Sequence, residues 1–351
     1  MALTARPGVP LSGVRPLSSV ASFSADPVLS AALDRNLALD VARVTEAAAI
    51  AAARYMGRGD ERAADLAATA AMREALTTVP MAGTITLGAL ADPDDGLFRL
   101  GEGVGNGTGL LIDVGVTPLE GATICAMGAP NATACMALAR KGELLAVPPV
   151  YMEKIAVGPG VPEGCLSLDA DPAENIRALA KVRGVPAEAL LICVLDRPRN
   201  EALVDRVRST GARITLISDG DVSGAVAVGL PETGVDMYMG SGGAAEGVLA
   251  AAGLRCLGGV LQGRLMVRGD SEKAAVRAAG ITDPDRILTM ADMVPGETMF
   301  AATGVTDGAL LRGVRLHAGS ARSSTLVMRS RTGTLRFIDT RHDLSKLSAD
   351  R

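Results

Sequence analysis

Four glycine-bounded turns in this chain carry acidic residues whose types and spacing could do chemistry. They lie at residues 57–60 (Gly-Arg-Gly-Asp), 113–122, 219–221 (Asp-Gly-Asp) and 240–247. Metal-assisted hydrolysis of a phosphate ester needs carboxylate oxygens that bind divalent cations, together with an oriented water molecule. An isolated Asp beside a Gly more often belongs to a turn or a helix cap. The four turns together favour metal-dependent phosphate chemistry.

Cationic and aromatic residues that suit a phosphate ligand stand between these turns. Tyr151 precedes a Met-Glu-Lys segment, and Arg197 and Arg199 flank a proline. Guanidinium groups bind phosphate oxygens through paired hydrogen bonds, and the carboxylates of Asp219 and Asp221 could accept hydrogen bonds from sugar hydroxyls. The alternatives are a solvated loop for the two arginines and a half-buried core position for Tyr151.

The elements that must position these residues alternate between helices and strands. Apolar periodicity and helix-start signals predict helices over residues 34–56, 62–76, 173–182 and 201–210. The third of these follows Asp171 as a cap and Pro172 at the first helical position. Short strands are predicted at residues 84–87, 109–116, 124–127, 191–195, 214–217 and 235–239. This alternation is typical of α/β folds, in which helices are layered against sheets.

Composition narrows the class of ligand. The 351 residues are 48% apolar, carry a formal net charge of -4 and include 2% aromatic residues, so neither a basic face nor a stacking platform for nucleic acid is expected. Five cysteines without a C-x-x-C pair favour reduced thiols and a cytoplasmic location. No uninterrupted apolar stretch reaches the roughly 18 residues that a membrane span needs. We therefore expect a small-molecule ligand, with no nucleic acid or membrane partner.

The order of these segments resembles the class II fructose-1,6-bisphosphatases, including variants that also act on sedoheptulose bisphosphate. The resemblance runs from about residue 35 to residue 347 and includes residues 43–48 (RVTEAA), 57–60, 104–109 (VGNGTG), 151–154 (YMEK), 218–221 (SDGD) and 302–308 (ATGVTDG). It implies a layered α/β/α/β/α sugar phosphatase fold, similar to that of the lithium-sensitive, magnesium-dependent phosphatases. It also implies Mn or Mg as cofactor, a sugar bisphosphate ligand and a homo-oligomer, either a dimer or a tetramer.

The resemblance also assigns roles to single residues. Asp60, Glu120 and Glu246 match the metal-binding carboxylates of the family. The positions that hold the sugar bisphosphate are matched by Glu120, Gly121, Tyr151, Arg197, Arg199, Asp219, Asp221 and Gly243. Because Ala122 stands at the position of the family's catalytic threonine, no catalytic residue is assigned.

Three regions follow from these patterns. Residues 1–30 are rich in Ser, Pro and Gly and are predicted to form a disordered tail, with a transit peptide as the alternative. Residues 31–160 are expected to form an N-terminal half with the metal-site motifs. Residues 161–347 are expected to form a C-terminal half with the sugar-phosphate-binding motifs.

The chain departs from the family pattern where metal and water should bind. The family's Gly-Glu-Gly-Glu segment, with an Asp two residues on, is replaced by a stretch containing Ala89, Ala91 and Pro93. In the family motif Asp-Pro-Ile/Leu-Asp/Glu-Gly-Thr, Thr117 replaces the first carboxylate and Ala122 replaces the last hydroxyl. Loss of a single such group typically costs about 10-fold to 1,000-fold in rate or metal affinity. We therefore expect weak or lost hydrolysis.

Three functional hypotheses follow. The first is that the chain is a metal-dependent fructose bisphosphatase with an altered ligand set, based on the surviving Asp60, Glu120, Glu246 and Arg199. Whether Asp92, Asp94 or Asp95 replaces a lost ligand is left open by the sequence. Alternatively, the chain is a non-catalytic paralogue that binds sugar phosphate or pairs with an active homologue. A phosphatase acting on another substrate, such as an inositol or nucleotide phosphate, is the third reading, and Asn200 leaves room for it because many family members have His there.

Overall fold

The structure is a computed structural model that describes Leu33 and residues 36–88 and 96–347. The predicted tail over residues 1–30 lies outside the described residues, as do Ala89, Ala91, Pro93 and the three nearby aspartates. In the described ranges, no helix has both the length and the apolar character that a bilayer crossing requires.

Thirteen strands and ten α-helices are defined in the described residues. The strands are β1 (Met81–Leu87), β2 (Gly103–Val104), β3 (Leu110–Glu120), β4 (Thr133–Arg140), β5 (Tyr151–Val157), β6 (Leu191–Leu195), β7 (Arg213–Ile217), β8 (Met237–Gly243), β9 (Val260–Met266), β10 (Thr298–Gly304), β11 (Arg315–His317), β12 (Ser320–Arg329) and β13 (Thr334–Asp343). The helices are α1 (Leu37–Ala53), α2 (Glu61–Leu76), α3 (Ala122–Met127), α4 (Pro172–Arg183), α5 (Glu201–Arg208), α6 (Asp221–Ala227), α7 (Ala244–Leu257), α8 (Asp270–Ala278), α9 (Met290–Met293) and α10 (Leu344–Leu347).

Two mixed sheets form the framework of the fold. The larger sheet has the order β11-β12-β10-β4-β3-β1-β2, and β13 pairs with β12 along its whole length. The smaller sheet has the order β7-β6-β8-β5-β9, in which β6 runs parallel to both β7 and β8. The carboxyl ends of these three strands therefore meet at one edge of the smaller sheet.

The helices form three layers around the two sheets. Helices α1 and α2 cover the outer face of the larger sheet, and α7 packs between the sheets, where it contacts strands of both. Apolar side chains of α4 and α5, such as Ile176 and Val207, pack with Ile192 and Val194 on the outer face of the smaller sheet. This arrangement confirms the predicted layered α/β/α/β/α fold.

Most predicted elements are present with shifted ends. Helix α4 begins after Asp171, whose Oδ1 accepts a hydrogen bond from the Ala173 N–H at 2.8 Å. Helix α1 ends at Ala53, three residues before the predicted end. The prediction missed β2, β4, β5, β9 and the last four strands, and β10 to β13 return the chain to the larger sheet. The division near residue 160 stays a prediction.

The predicted strand at residues 124–127 is wrong, because these residues belong to helix α3. Gly121 (φ 83°) and Gly128 (φ 69°) adopt left-handed conformations at its two ends, which glycine tolerates without steric cost. Ile124 and Cys125 are buried under α1 and α2, so their apolar character reflects helix packing. A four-residue apolar segment does not distinguish the two structures by its pattern alone.

Candidate functional site

A cavity of about 290 Å³, called the cleft below, opens where β6, β7 and β8 end and β5 begins. Its walls contain every residue that the sequence predicted to hold sugar bisphosphate, namely Glu120, Gly121, Tyr151, Arg197, Arg199, Asp219, Asp221 and Gly243. Glu246 and Thr117 also line it. Open α/β sheets commonly bind ligands at the carboxyl ends of parallel strands.

A larger and more apolar cavity of about 370 Å³ borders the cleft. The two cavities share Thr117, Leu119, Tyr151, Gly243 and Glu246. A ligand in the cleft therefore has adjoining space for a second group.

Two guanidinium groups lie against the ring of Tyr151. Arg199 stands 4.8 Å and Arg268 stands 4.0 Å from the ring centroid. The Nε of Arg199 donates to the carbonyl oxygen of Ser241 at 3.0 Å and to its Oγ at 3.2 Å. These contacts fix the side chain through Nε, so the terminal N–H groups of Arg199 remain available to an anion in the cleft.

Arg197 and Asp219 form a looser pair at the cleft wall. Their closest charged atoms, Nη2 and Oδ2, are 3.8 Å apart, and both side chains are about one-third exposed. The other carboxylate oxygen of Asp219 accepts a hydrogen bond from the Gly220 N–H at 2.9 Å. Both charged groups are therefore accessible to a polar ligand.

Asp221 lies deeper and is held by the protein itself. Its two carboxylate oxygens accept hydrogen bonds from Lys154 and from the hydroxyl of Tyr238, and all three side chains are buried. Lys154 also donates to the carbonyl oxygen of Gly243 at 3.0 Å. A Cβ at Gly242 would overlap the Asp221 carboxylate, so this position near the end of β8 requires glycine. The ion pair thereby joins β5, β8 and the start of α6.

Glu120 is a buried carboxyl group enclosed by hydrogen-bond donors of the chain. Its Oε1 accepts from the Val222 N–H at 2.6 Å, and its Oε2 lies 3.1 Å from Thr133 Oγ1 and 3.4 Å from Ser223 Oγ. Burial, with a smaller contribution from the Asp221 and Glu246 carboxylates, raises the pKa of Glu120 to about 8, although the hydrogen bond from Val222 opposes the shift. Burial also raises the pKa of Glu246, although the positive charge of Lys154 opposes this shift.

Asp60 has a different environment from the other predicted ligands. It is the N-cap of α2, where its exposed Oδ1 accepts a hydrogen bond from the Ala63 N–H at 2.9 Å. The next residue, Glu61, accepts a hydrogen bond from Thr123 at the start of α3. Among the described residues, the walls of the cleft include Glu120 and Glu246 but not Asp60.

Sequence reasoning missed several residues that shape the cleft. Lys154 and Tyr238 hold Asp221, Thr133 and Ser223 bond to Glu120, and Arg268 contacts Tyr151. Lys154 was visible only as part of the Tyr-Met-Glu-Lys segment. Tyr238 and Ser223 lie only two residues from the motifs at 240–247 and 219–221. Thr133 and Arg268 lie further away and reach the cleft because β4 pairs with β3 and β9 pairs with β5.

Comparison with known proteins identifies the family. A family described as "Bacterial fructose-1,6-bisphosphatase, glpX-encoded" matches residues 35–342. The D-fructose 1,6-bisphosphatase class 2/sedoheptulose 1,7-bisphosphatase of Synechococcus sp. (strain JA-3-3Ab) is 39% identical over 335 residues, covering 88% of this chain and 96% of that protein. The protein of the same description from Crocosphaera subtropica (strain ATCC 51142 / BH68) is 38% identical, with 88% and 97% covered. The chain belongs to the class II fructose-1,6-bisphosphatase family.

For a class II fructose-1,6-bisphosphatase, the described part of this chain does not provide a full ligand set for two divalent cations. Within residues 36–88 and 96–347, no group of three or more His, Cys, Asp or Glu residues is arranged to hold a metal ion. Both oxygens of Glu120 already accept hydrogen bonds, and Thr117 offers only a neutral oxygen. These donors do not fit the bimetal centre that the resemblance implies.

The raised pKa of Glu120 predicts a specific pH dependence of stability in this member of the class II fructose-1,6-bisphosphatase family. With a pKa of about 8, Glu120 keeps its proton in the folded protein up to about pH 8, whereas the unfolded carboxyl has its ordinary pKa of 4.5. The folded state therefore binds more protons between these values, so this group's contribution to the free energy of unfolding falls as pH rises. We expect Glu120→Gln to remove that decline.

Urea unfolding of chelator-treated protein at several pH values between 5 and 8 measures this effect. Glu163→Gln, a substitution on the exposed surface, is the control and should keep the wild-type pH dependence. An equally steep decline in Glu120→Gln and wild type would show that Glu120 is not the titrating group.

Proposed function

We propose that this chain binds a sugar bisphosphate in the cleft and hydrolyses it weakly or not at all. The observation that carries the proposal is an asymmetry within the cleft. Arg199 and Arg197 offer guanidinium groups for an anionic sugar, and the Tyr151 ring supports Arg199. Next to them, the Glu120 carboxyl is occupied by donors of the chain, and Thr117 carries no charge.

Each accessible group has a binding role in this proposal. The terminal N–H groups of Arg199 bind one phosphate, and the Tyr151 ring, which also contacts Arg268, holds Arg199 in place. Asp219 accepts a hydrogen bond from a sugar hydroxyl, and Arg197 lies close enough to pair with a phosphate on the same side. The adjoining cavity holds the remainder of the ligand.

The chain lacks side-chain groups that the family pattern provides to activate water. Ala122 has no hydroxyl, and the Glu120 carboxyl already accepts hydrogen bonds from the chain, so neither side chain is placed to remove a proton from a water molecule. Mn or Mg supplies the phosphate-polarising charge in the chemistry that the resemblance implies. The residues of this chain therefore support binding and orientation of the ligand better than hydrolysis.

The homo-oligomeric state, pairing with an active homologue and a cytoplasmic location stay predictions.

Arg199→Ala is expected to weaken fructose 1,6-bisphosphate binding by about 10-fold to 100-fold, because charged hydrogen bonds contribute roughly 1.5–3 kcal/mol each. Isothermal titration calorimetry measures the affinity. Arg208→Ala, on the exposed face of α5, is the matched control and should bind as the wild type does. If Arg199→Ala binds fructose 1,6-bisphosphate with unchanged affinity, the cleft is not the binding site.

Phosphate release in the presence of Mn or Mg tests the catalytic part of the proposal. The wild type is expected to release phosphate at a rate close to that of Glu120→Ala. A wild-type rate far above that of Glu120→Ala would favour the alternative, a working phosphatase with an altered ligand set.

A further inference from the structure

Four arginines line another cavity, of about 470 Å³, at the far end of the larger sheet. Arg312 precedes β11, and Arg315, Arg322 and Arg341 lie on β11, β12 and β13. Asp339 is the acidic residue among the lining residues. In the described part of the chain, this arginine cavity and the cleft share no lining residue. Its volume is within the range of small-molecule sites, about 300–1,000 Å³.

Three of these arginines stand directly opposite one another across neighbouring strands. Arg322 pairs with Arg315 in the β11–β12 ladder and with Arg341 in the β12–β13 ladder. Directly opposed residues have Cβ atoms about 4.5–5.5 Å apart, and like charges in such positions destabilise a sheet. The fold gains nothing from this row of like charges, and an anion between the strands would offset the repulsion.

Carboxylates of the chain neutralise only part of this charge. Arg312 forms two hydrogen bonds with Asp339, at 2.8 and 2.7 Å, and Arg315 donates to Asp307 at 2.5 Å. Over the ranges that the structure covers, Arg322 and Arg341 have no carboxylate within ion-pair distance. Hydrogen bonds from Ser345 lower the pKa of Asp343, and the charge of Arg341 makes a smaller contribution in the same direction.

The buried carboxylate below this region belongs to the opposite face of the sheet. Glu46, on α1, accepts hydrogen bonds from Ser323, Thr325 and Thr340, at 3.4, 3.3 and 2.6 Å. Residues 323 and 325 alternate with Arg322 and Ser324 along β12, so they point away from the row of arginines. Glu46 is thus bound by hydroxyl groups and separated from the guanidinium groups by the sheet.

We propose that the arginine cavity binds a small, multiply charged phosphate anion at a site separate from the cleft. Planar guanidinium forks match phosphate oxygens, and several converging forks favour an anion of at least two charges. The concave shape favours a small molecule over a flat protein contact. An acidic segment of a second copy of this chain is the competing occupant.

Pyrophosphate is the probe for this site, with binding measured by calorimetry at low and high salt. Arg322→Ala/Arg341→Ala is expected to weaken pyrophosphate binding at least 10-fold while fructose 1,6-bisphosphate binding in the cleft changes less than twofold. Arg322→Gln/Arg341→Gln keeps polar side chains and should show the same loss of pyrophosphate binding. It controls for misfolding of the alanine double variant. Arg336→Ala, on β13 but on the other face of the sheet, is the control and should bind as wild type.

Two outcomes would overturn the proposal. Pyrophosphate binding that is insensitive to both double variants, or that is abolished by Arg199→Ala alone, would assign the anion to the cleft. If the double variants keep their pyrophosphate affinity but sediment with a different mass, this region is instead a contact between copies of the chain.

Discussion

Lys154→Met is expected to lower the free energy of unfolding by about 3–5 kcal/mol, because removing one partner of a buried ion pair leaves the other charge uncompensated. The Lys154 side chain is 0% exposed and its partner Asp221 is 8% exposed. Asp221 also accepts a hydrogen bond from Tyr238, so the substitution disturbs a three-residue network. Urea unfolding followed by circular dichroism measures the loss.

Two further variants identify the cause of that loss. Lys154→Met/Asp221→Asn removes both charges and should recover much of the lost stability, since no uncompensated ion remains in the interior. Lys273→Met removes a surface lysine that pairs with the fully exposed Asp270, and should leave stability nearly unchanged. If Lys154→Met and Lys273→Met behaved alike, the buried pair would have no special structural role.

Restoring two family residues is expected to raise phosphate release. Thr117→Asp supplies the missing carboxylate at the cleft wall, and Ala122→Thr supplies the missing hydroxyl at the start of α3. Each such group typically changes rate or metal affinity by about 10-fold to 1,000-fold, so we expect the double variant to exceed wild type at least 10-fold with Mn. The gain stays below the full family rate because Ala89, Ala91 and Pro93 remain.

The control for the restored variant is Thr332→Asp, which adds a carboxylate in an exposed turn far from the cleft residues in sequence. It should release phosphate as slowly as wild type. If the double variant binds fructose 1,6-bisphosphate normally and still releases phosphate no faster than wild type, the missing carboxylate at residue 117 and the missing hydroxyl at residue 122 do not explain the low rate.

The layered fold was predictable because local signals agree with the final structure over much of the chain. Asp171 and Pro172 mark the beginning of α4, and β1 begins directly after Pro80. The short segment that became α3 was not predictable, since four apolar residues suit either a strand or a buried helix. Its helical form depends on two glycines with positive φ and on packing against α1 and α2.

The cleft was predictable only where its residues belong to recognisable motifs. Arg268 reaches Tyr151 because β5 pairs with β9 and places Tyr151 opposite Met266. Such a register is a long-range property that the sequence does not display. Likewise, no local pattern indicates that Lys154 and Tyr238 both donate hydrogen bonds to Asp221. These bonds occupy the carboxylate that the sequence predicted to contact substrate.

Fructose 1,6-bisphosphate binding and phosphate release can be measured on one wild-type preparation with Mn present. The two measurements together test whether the cleft binds the sugar bisphosphate without hydrolysing it rapidly. We expect a calorimetric binding signal that Arg199→Ala weakens, together with phosphate release no faster than that of Glu120→Ala. Rapid release by the wild type, abolished in Glu120→Ala, would contradict this expectation.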